Sequence, residues 1–365
     1  MSHRIIALLG RRDTPTDAVE EYCAYVASAM KPLGFETELV RVPWAEEGWT
    51  TALADLRRKA ASWRGGWVML QYTALAWSQR GIPFGALRVV RALRSSGADL
   101  QTGIVFHDAR PYPGNRLVDS ARRSLQRFVM RRLYHLADRI ILSLPADKID
   151  WLPFPPDKAV FIPIGGNLPD FSIQPPKETN ENSPLTVAVY SVTGGGSIAP
   201  EAADITFAVR RAADRLGPLR LVVLGRNSLE AEPALRQGLV GSQVELSVLG
   251  VVPFDQVVQT ISKADVMLFV RGEISSRRTS ALAGIACGLP LVAYHGPETA
   301  PPVTEAGVVL ADAGDRKGLA ESLARVLSDP RLRAELRERS RAAQETHFSW
   351  GVIAARYAEA LRSAD

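Results

Sequence analysis

The sequence holds only two cysteines, Cys23 and Cys287, far apart along the chain. That scarcity fits two buried thiols in a reducing compartment better than a disulfide framework or a metal site. No stretch approaches the roughly 20 apolar residues that a membrane-spanning helix needs. The opening MSHRIIALLGRRD passes from a short apolar segment straight into charge, unlike a secretory leader. The expectation is a soluble, cytoplasmic chain. Also missing are a Gly-Lys-Ser/Thr phosphate loop, a Gly-x-Gly-x-x-Gly turn after the first strand, an Asp-x-Asp motif after a strand, and any zinc-finger or RNP signature. These absences speak against a dinucleotide-dependent oxidoreductase, a resident metal and nucleic acid as partner.

What is present is an average globular composition, 46% hydrophobic and 23% charged over 365 residues. Such a chain buries real cores and is too long for one, so two domains are expected. The net charge of +5 suits anionic ligands such as nucleotide diphosphates or anionic lipid surfaces.

Short β-rich runs alternate with amphipathic stretches, the pattern of parallel sheets with crossover helices, and the fold class is α/β. Strands are predicted at Arg4 to Leu9, Glu36 to Val42, Gly66 to Gln71, Gln101 to Phe106, Arg139 to Ser143 and Ala159 to Ile162. Helical spacing runs over Asp17 to Leu33, Gly85 to Ser95 and Ser120 to Ala137. The alternation stops at GGNLPDFSIQPPKETNENSP, from Gly165 to Pro184, where Gly, Pro and Asn oppose regular structure. It restarts with LTVAVYSV, LRLVVLG, VELSVLG, DVMLFV, LPLVAY and GVVLAD. The predicted organisation is a Rossmann-like domain over 1–168, a linker over 169–184, a second Rossmann-like domain over 185–348 and a terminal helix over 349–365. Ligands of such domains sit beyond the carboxyl ends of the strands, where loops and helix starts present free N–H groups.

Several segments of the second half stand in a recognisable order: IPIGGNLPDF, VVLGR, VELSVLGVVPFDQVVQTISKADVMLFV, SALAGIACGLPLVAY and the closing HFSWGVIAARYAEALRS. In this order they resemble glycosyltransferase family four and its GT-B relatives. The resemblance implies two Rossmann-like domains facing each other across a cleft, with the first binding the acceptor and the second a nucleotide-sugar donor. It also implies that the terminal helix returns to the first domain. The implied reaction moves a sugar from a nucleotide diphosphate sugar to a hydroxyl acceptor, be it a glycan, a lipid-linked molecule or a small molecule. Retention at the anomeric carbon and independence of metal and cofactor are implied as well.

Thr279 and Ser280 begin a helix that Gly288 ends, and its exposed N–H groups suit a nucleotide diphosphate or, more simply, a hydroxyl cap. Just ahead stand Arg277 and Arg278, whose guanidiniums grip phosphate bidentately and stay charged. Thr193, Gly194, Gly195 and Gly196 form a Gly-rich turn that lets backbone N–H groups approach a ligand. Arg226 follows the VVLG strand. The family's two donor-site glutamates align with Ser275 and Ala283, so both carboxylates are absent; Glu273 is the nearest substitute for the first. Their loss keeps a second reading open, a non-catalytic sugar-nucleotide or partner-binding GT-B protein.

In the first half, the loop GRRDTPTDAVEEY supplies Arg12, Asp13 and Asp17, and TGIVFHD ends a strand with His107 and Asp108. The resemblance places that His beside the reacting sugar, and His107, Asp108 and Asp13 are the catalytic candidates. Gln71, Tyr72 and Thr73 follow a strand and suit a hydroxylated acceptor together with Arg12 and Asp17. The tryptophans of the first quarter read as core. Finally, Arg116, Arg122, Arg123, Arg127, Arg131 and Arg132 interleave with Leu117, Leu125, Phe128, Val129 and Leu133. Such a helix either covers a sheet with a solvated basic face or makes peripheral contact with an anionic membrane at its inner face.

Overall fold

A computed structural model of the chain describes residues 3–14, 16–112, 114, 116–169 and 183–363. It divides into two compact units, Met1–Ile164 with Trp350–Asp365, and Gly165–Ser349. In the first, six parallel strands form one sheet: β1 (His3–Leu9), β2 (Phe35–Arg41), β3 (Trp67–Tyr72), β4 (Gln101–Phe106), β5 (Arg139–Leu142) and β6 (Ala159–Phe161), in the order β2-β1-β3-β4-β5-β6. The second repeats the plan with β7 (Leu185–Tyr190), β8 (Leu219–Leu224), β9 (Val244–Gly250), β10 (Val266–Glu273), β11 (Leu291–Tyr294) and β12 (Val308–Ala311), in the order β12-β11-β10-β7-β8-β9. Central runs such as VMLQY in β3 and VMLFV in β10 are buried on both faces, because helices cover both sides of a parallel sheet. Each order reverses once, between β1 and β3 in the first sheet and between β7 and β10 in the second. At such a reversal the flanking helices diverge to opposite faces and open a crevice beyond the strand ends.

The strands lie where the apolar runs predict, within a residue or two, except that β10 continues past Val270 to Glu273. Its pairing with β11 slips between Phe269 and Glu273, and Gly272 adopts φ 72° there. A glycine-centred irregularity of this kind bends the strand and re-aims the residues around it. The linker expected over 169–184 falls, for 170–182, outside the described residues.

The tryptophans serve the first core. Trp44, Trp63, Trp67 and Trp77 are buried, and Trp49 stacks on Trp44 at 4.8 Å. The terminal helix Trp350–Arg362 is part of this unit and packs on the helix Ala18–Met30. The Tyr22 and Tyr357 hydroxyls meet at 2.9 Å within that contact, and Trp350 stacks on Tyr25 at 5.0 Å. The helix buries its apolar stripe, Ile353, Ala354, Tyr357, Ala358 and Leu361, as an amphipathic helix must. Tyr357→Ala would empty a large site and leave Tyr22 with a buried, unpaired hydroxyl. We expect it to lower unfolding free energy by about 3–5 kcal/mol, read from urea denaturation; a loss below about 1 kcal/mol would show that the helix is peripheral to the first core.

Candidate functional site

In the second unit, the loops after β7 and β8 are bound together and meet the end of β10. Ser191 N–H donates to Leu224 O at 2.7 Å, Val192 N–H to Arg226 O at 3.0 Å, and Asn227 Nδ2 back to Val192 O at 2.9 Å. Gly225 makes this closeness possible: it sits at φ 89°, and a Cβ there would lie 2.6 Å from Ser191 Oγ. The buried carboxylate of Glu201 accepts from Thr193 N–H at 2.8 Å and so fixes the start of the Gly-rich turn. Gly195 takes φ 64°, and a Cβ at Gly195 or Gly196 would meet nothing within 4 Å, so the turn's outer side is open.

Arg271, on the extended end of β10, reaches into this junction. Its guanidinium donates to Thr193 Oγ1 at 3.3 Å and to Ser280 Oγ at 3.2 Å. Those hydroxyls are its only hydrogen-bond partners among the described residues. Burial lowers its pKa first, and the nearby charge of Arg226 adds to that, against the opposing carboxylate of Glu201. Sequence reasoning missed Arg271 by ending its strand at Val270. The signal available was an arginine and a glycine directly after an otherwise apolar central strand.

Arg277 and Arg278 have opposite fates. Arg277 donates twice to Glu298, at 2.6 and 2.8 Å, and the Glu298 carboxylate is buried and also accepts from Ser275 Oγ at 3.3 Å. Arg277 is thus tied to Glu298. Arg278 makes no ion pair or side-chain hydrogen bond among the described residues, and its Nε is buried without a partner. Burial, followed by repulsion from Arg277, pulls its pKa down to about 10. It precedes the helix Thr279–Ala286, which ends as the sequence predicts, with Gly288 at φ 65°.

Glu273 is engaged as well. Its Oε2 accepts the Glu298 N–H at 2.7 Å, and Gly296 packs so closely on the carboxylate that a Cβ there would collide with it. The side chain thereby holds the loop around Gly296. Ser275 and Ala283, at the two aligned positions, are both fully buried. Gly166 lies against Ala283, so tightly that a side chain at Gly166 would place its Cβ 3.0 Å from the Ala283 Cα.

In the first unit, a crevice of about 230 Å³ opens where the strand order reverses, between the loops after β1 and β3. Arg11, Asp13, Gln71, Thr73, Asp108 and Tyr112 are among its lining residues, as are Arg12 and Asp17. Asp17 caps the helix Ala18–Met30, accepting from Val19 and Glu20 N–H groups at 3.2 Å, and pairs with Arg41 at 3.1 Å. Arg12 pairs with Glu20 at 2.8 Å. Asp108 accepts from Ala74 N–H at 3.0 Å and from the Tyr112 hydroxyl at 3.1 Å. Thr73 Oγ1 accepts from Ala76 N–H at 3.2 Å. Tyr72 is a correction: adjacent strand residues point to opposite faces, and its ring is fully buried against Phe106 at 4.8 Å, in the core and not in the crevice.

His107 Nε2 lies 2.9 Å from Gln71 Oε1, and Gln71 Nε2 donates to Met69 O at 3.2 Å. The second contact orients the carboxamide, so the imidazole carries its proton on Nε2 and leaves Nδ1 as an acceptor. Burial lowers its pKa from the ordinary 6.5 to about 4, partly opposed by the charge of Asp17. His107 is a neutral hydrogen-bonding group at neutral pH. Cys23 and Cys287 are buried free thiols; burial pushes Cys287 up to about 12. Among the described residues no three His, Cys, Asp or Glu side chains cluster as a metal site.

Residues 196–329 match the family model described as Glycosyl transferases group 1. The match lies within the second unit. Solved structures share its fold along the whole length. The glycosyltransferase from Rickettsia africae superposes with TM-score 0.71 at 12% identity, covering 100% of this chain and 98% of that one. The sucrose-phosphate synthase from Thermosynechococcus elongatus gives 0.68 at 16%, covering 99% and 98%. The Anabaena protein HepE, in complex with UDP and glucose, gives 0.67 at 14%, covering 99% and 100%. Among curated proteins no sequence match is found. The fold is that of GT-B proteins, with two Rossmann-like units.

The two neighbouring arginines should separate in stability. Arg277→Ala leaves a buried carboxylate unpaired and is expected to cost about 3 kcal/mol, while Arg278→Ala removes a desolvated charge with no partner and should be neutral or stabilising. Urea denaturation of both variants checks this; equal losses would contradict the pairing. His107 gives a pH signature. Its folded pKa, about 4, lies below the ordinary 6.5, so the unfolded chain takes the proton first. Its contribution to stability is full above about pH 6.5 and is lost as pH falls toward 4. His107→Gln should flatten the stability profile in that window; an unchanged slope would show that the imidazole is solvated.

Proposed function

We propose that this glycosyltransferase moves a sugar from a nucleotide diphosphate sugar to a hydroxyl acceptor, with retention at the anomeric carbon and without metal or cofactor. The observation that carries the reading is the pair of desolvated guanidiniums, Arg271 and Arg278, with no carboxylate partner among the described residues, at the reversal of the second sheet beside the first turn of the helix Thr279–Ala286. A half-buried guanidinium whose nearby carboxylates are engaged with other groups gains when an anion arrives. A diphosphate supplies that anion, and Thr279 and Ser280 add helix-start N–H groups. Thr193 and the open glycine turn border the same place, and Arg226 adds positive potential.

On this reading the bond between the anomeric carbon and the diphosphate oxygen breaks with its electron pair passing to the leaving group. Arg271 and Arg278 stabilise that charge, the work a metal does elsewhere. The acceptor oxygen forms the new bond on the same face, and its proton passes to the departing phosphate. Front-side attack is favoured over a covalent glycosyl intermediate because Glu273 and Glu298, carboxylates beside this place, are already engaged. The crevice lined by Asp13, Gln71, Thr73 and Asp108 offers acceptors and donors suited to a polyhydroxylated acceptor. His107 enters as a neutral hydrogen-bond partner of a sugar hydroxyl.

HepE holds UDP and glucose, so UDP and UDP-glucose are the first probes. Arg271→Gln with Arg278→Gln should weaken UDP binding by on the order of 2–4 kcal/mol by calorimetry, with folding intact; unchanged affinity would refute the diphosphate assignment. The burial of Ser275 and Ala283 at the family's two carboxylate positions favours a second reading, a sugar-nucleotide-binding protein without turnover. Release of free nucleotide diphosphate from a panel of nucleotide sugars separates the two: release supports the enzyme, binding without release the second reading.

A further inference from the structure

Among the described residues, most of the large exposed apolar side chains of the first unit, though not Leu75 and Phe84, lie on or beside one element. On the helix Leu117–Leu136, Leu117 is 93% and Phe128 51% exposed, with Val118 and Leu125 also exposed. Beside it stands Phe154, 95% exposed, on a segment tied to the helix by the Arg127–Asp150 ion pair and by Arg131 donating to Trp151 O at 2.9 Å. The helix buries Gln126, Val129, Met130, Leu133 and Tyr134 on its inner face. Helical spacing therefore turns Leu117, Ala121, Leu125, Phe128 and Arg132 outward together. Single exposed apolar residues are ordinary, whereas a contiguous group marks a surface that meets something.

Charge decides what it meets. Residues 116–136 hold six arginines against one aspartate, a formal +5 equal to the net charge of the whole chain. Asp119 lies against Arg122 and Asp150 against Arg127, while Asp157 accepts from the Tyr134 hydroxyl at 3.2 Å, and the arginines still outnumber these carboxylates. Arg132 is exposed and makes no ion pair among the described residues. A second copy of the chain would bring the same positive face against itself, which like-charge repulsion opposes. An anionic lipid surface complements both the charge and the apolar side chains.

We propose that this face of the first unit docks on an anionic bilayer, with Leu117, Val118, Phe128 and Phe154 entering the boundary between headgroups and acyl chains while Arg131 and Arg132 meet lipid phosphates. The inference stands apart from the donor site and holds whichever reading of that site is right. Among the described residues no helix is long and apolar enough to cross a membrane, so the contact is peripheral.

The test is co-sedimentation of the full chain with phosphatidylcholine vesicles and with vesicles of phosphatidylcholine and phosphatidylglycerol in equal parts. Binding is expected to the anionic vesicles alone and to weaken as salt is raised. Leu117→Ser with Phe154→Ser, both at nearly fully exposed positions, should lower the partition coefficient about tenfold, and Arg132→Gln about fivefold, each with an unchanged melting temperature. No binding to anionic vesicles, or binding unaffected by the double substitution, overturns the proposal. So does a concentration-dependent dimer that the same double substitution abolishes, which would assign the face to a second copy.

Discussion

The carboxylate of Glu298 is the knot on which the donor side depends. It is buried, it takes two hydrogen bonds from Arg277 and one from Ser275, and its own backbone N–H is held by Glu273. These contacts lock the segment between β10 and the helix Thr279–Ala286 onto the loop after β11. A buried ion pair contributes little net stability against an apolar alternative, but breaking one half is strongly unfavourable, so the arrangement is rigid. Arg278 follows directly in the chain and inherits that rigidity without a partner of its own. Arg271 arrives from the other side, bent into place at Gly272 and held by hydroxyls alone. Two half-buried cations thus stand beside a helix start, an arrangement that makes physical sense when a phosphate group completes it.

The first unit solves a different problem with the same topology. Where its strand order reverses, the crevice is lined by groups whose hydrogen bonds are partly satisfied within the protein: Asp17 by a helix start and Arg41, Asp108 by Ala74 and Tyr112, Thr73 by Ala76. Such groups are fixed in orientation, which suits hydroxyl recognition better than charge neutralisation. His107 fits this setting as a neutral imidazole whose tautomer is set by Gln71. The arginine-rich helix lies on the same unit, and its outward face joins apolar exposure to excess positive charge.

Most of this architecture was legible in the sequence because apolar runs and helix starts are local signals. LTVAVY, LRLVVL and the stop at Gly288 announced β7, β8 and the end of the helix Thr279–Ala286 without any knowledge of their neighbours. The site was less legible because its decisive partners are distant in sequence. Nothing near Arg277 announces Glu298, so two adjacent arginines looked alike although one is paired and one is not. Arg271 was hidden because the strand irregularity at Gly272 is set by pairing with β11, which no local pattern reports. Tyr72 was misplaced by treating the end of a strand as uniformly ligand-facing, where the alternation of faces sends its ring into the core. Glu273 looked available because the loop that occupies it, around Gly296, comes after the next strand.

The central claim is that Arg271 and Arg278 wait for a diphosphate. The most direct measurement is the melting temperature of the full chain with a nucleoside diphosphate compared with its parent nucleoside at equal concentration. The account predicts a clear upward shift with the diphosphate and little or none with the nucleoside, since ligand binding stabilises in proportion to its affinity for the folded state. Equal shifts from both, or no shift from the diphosphate, would contradict it.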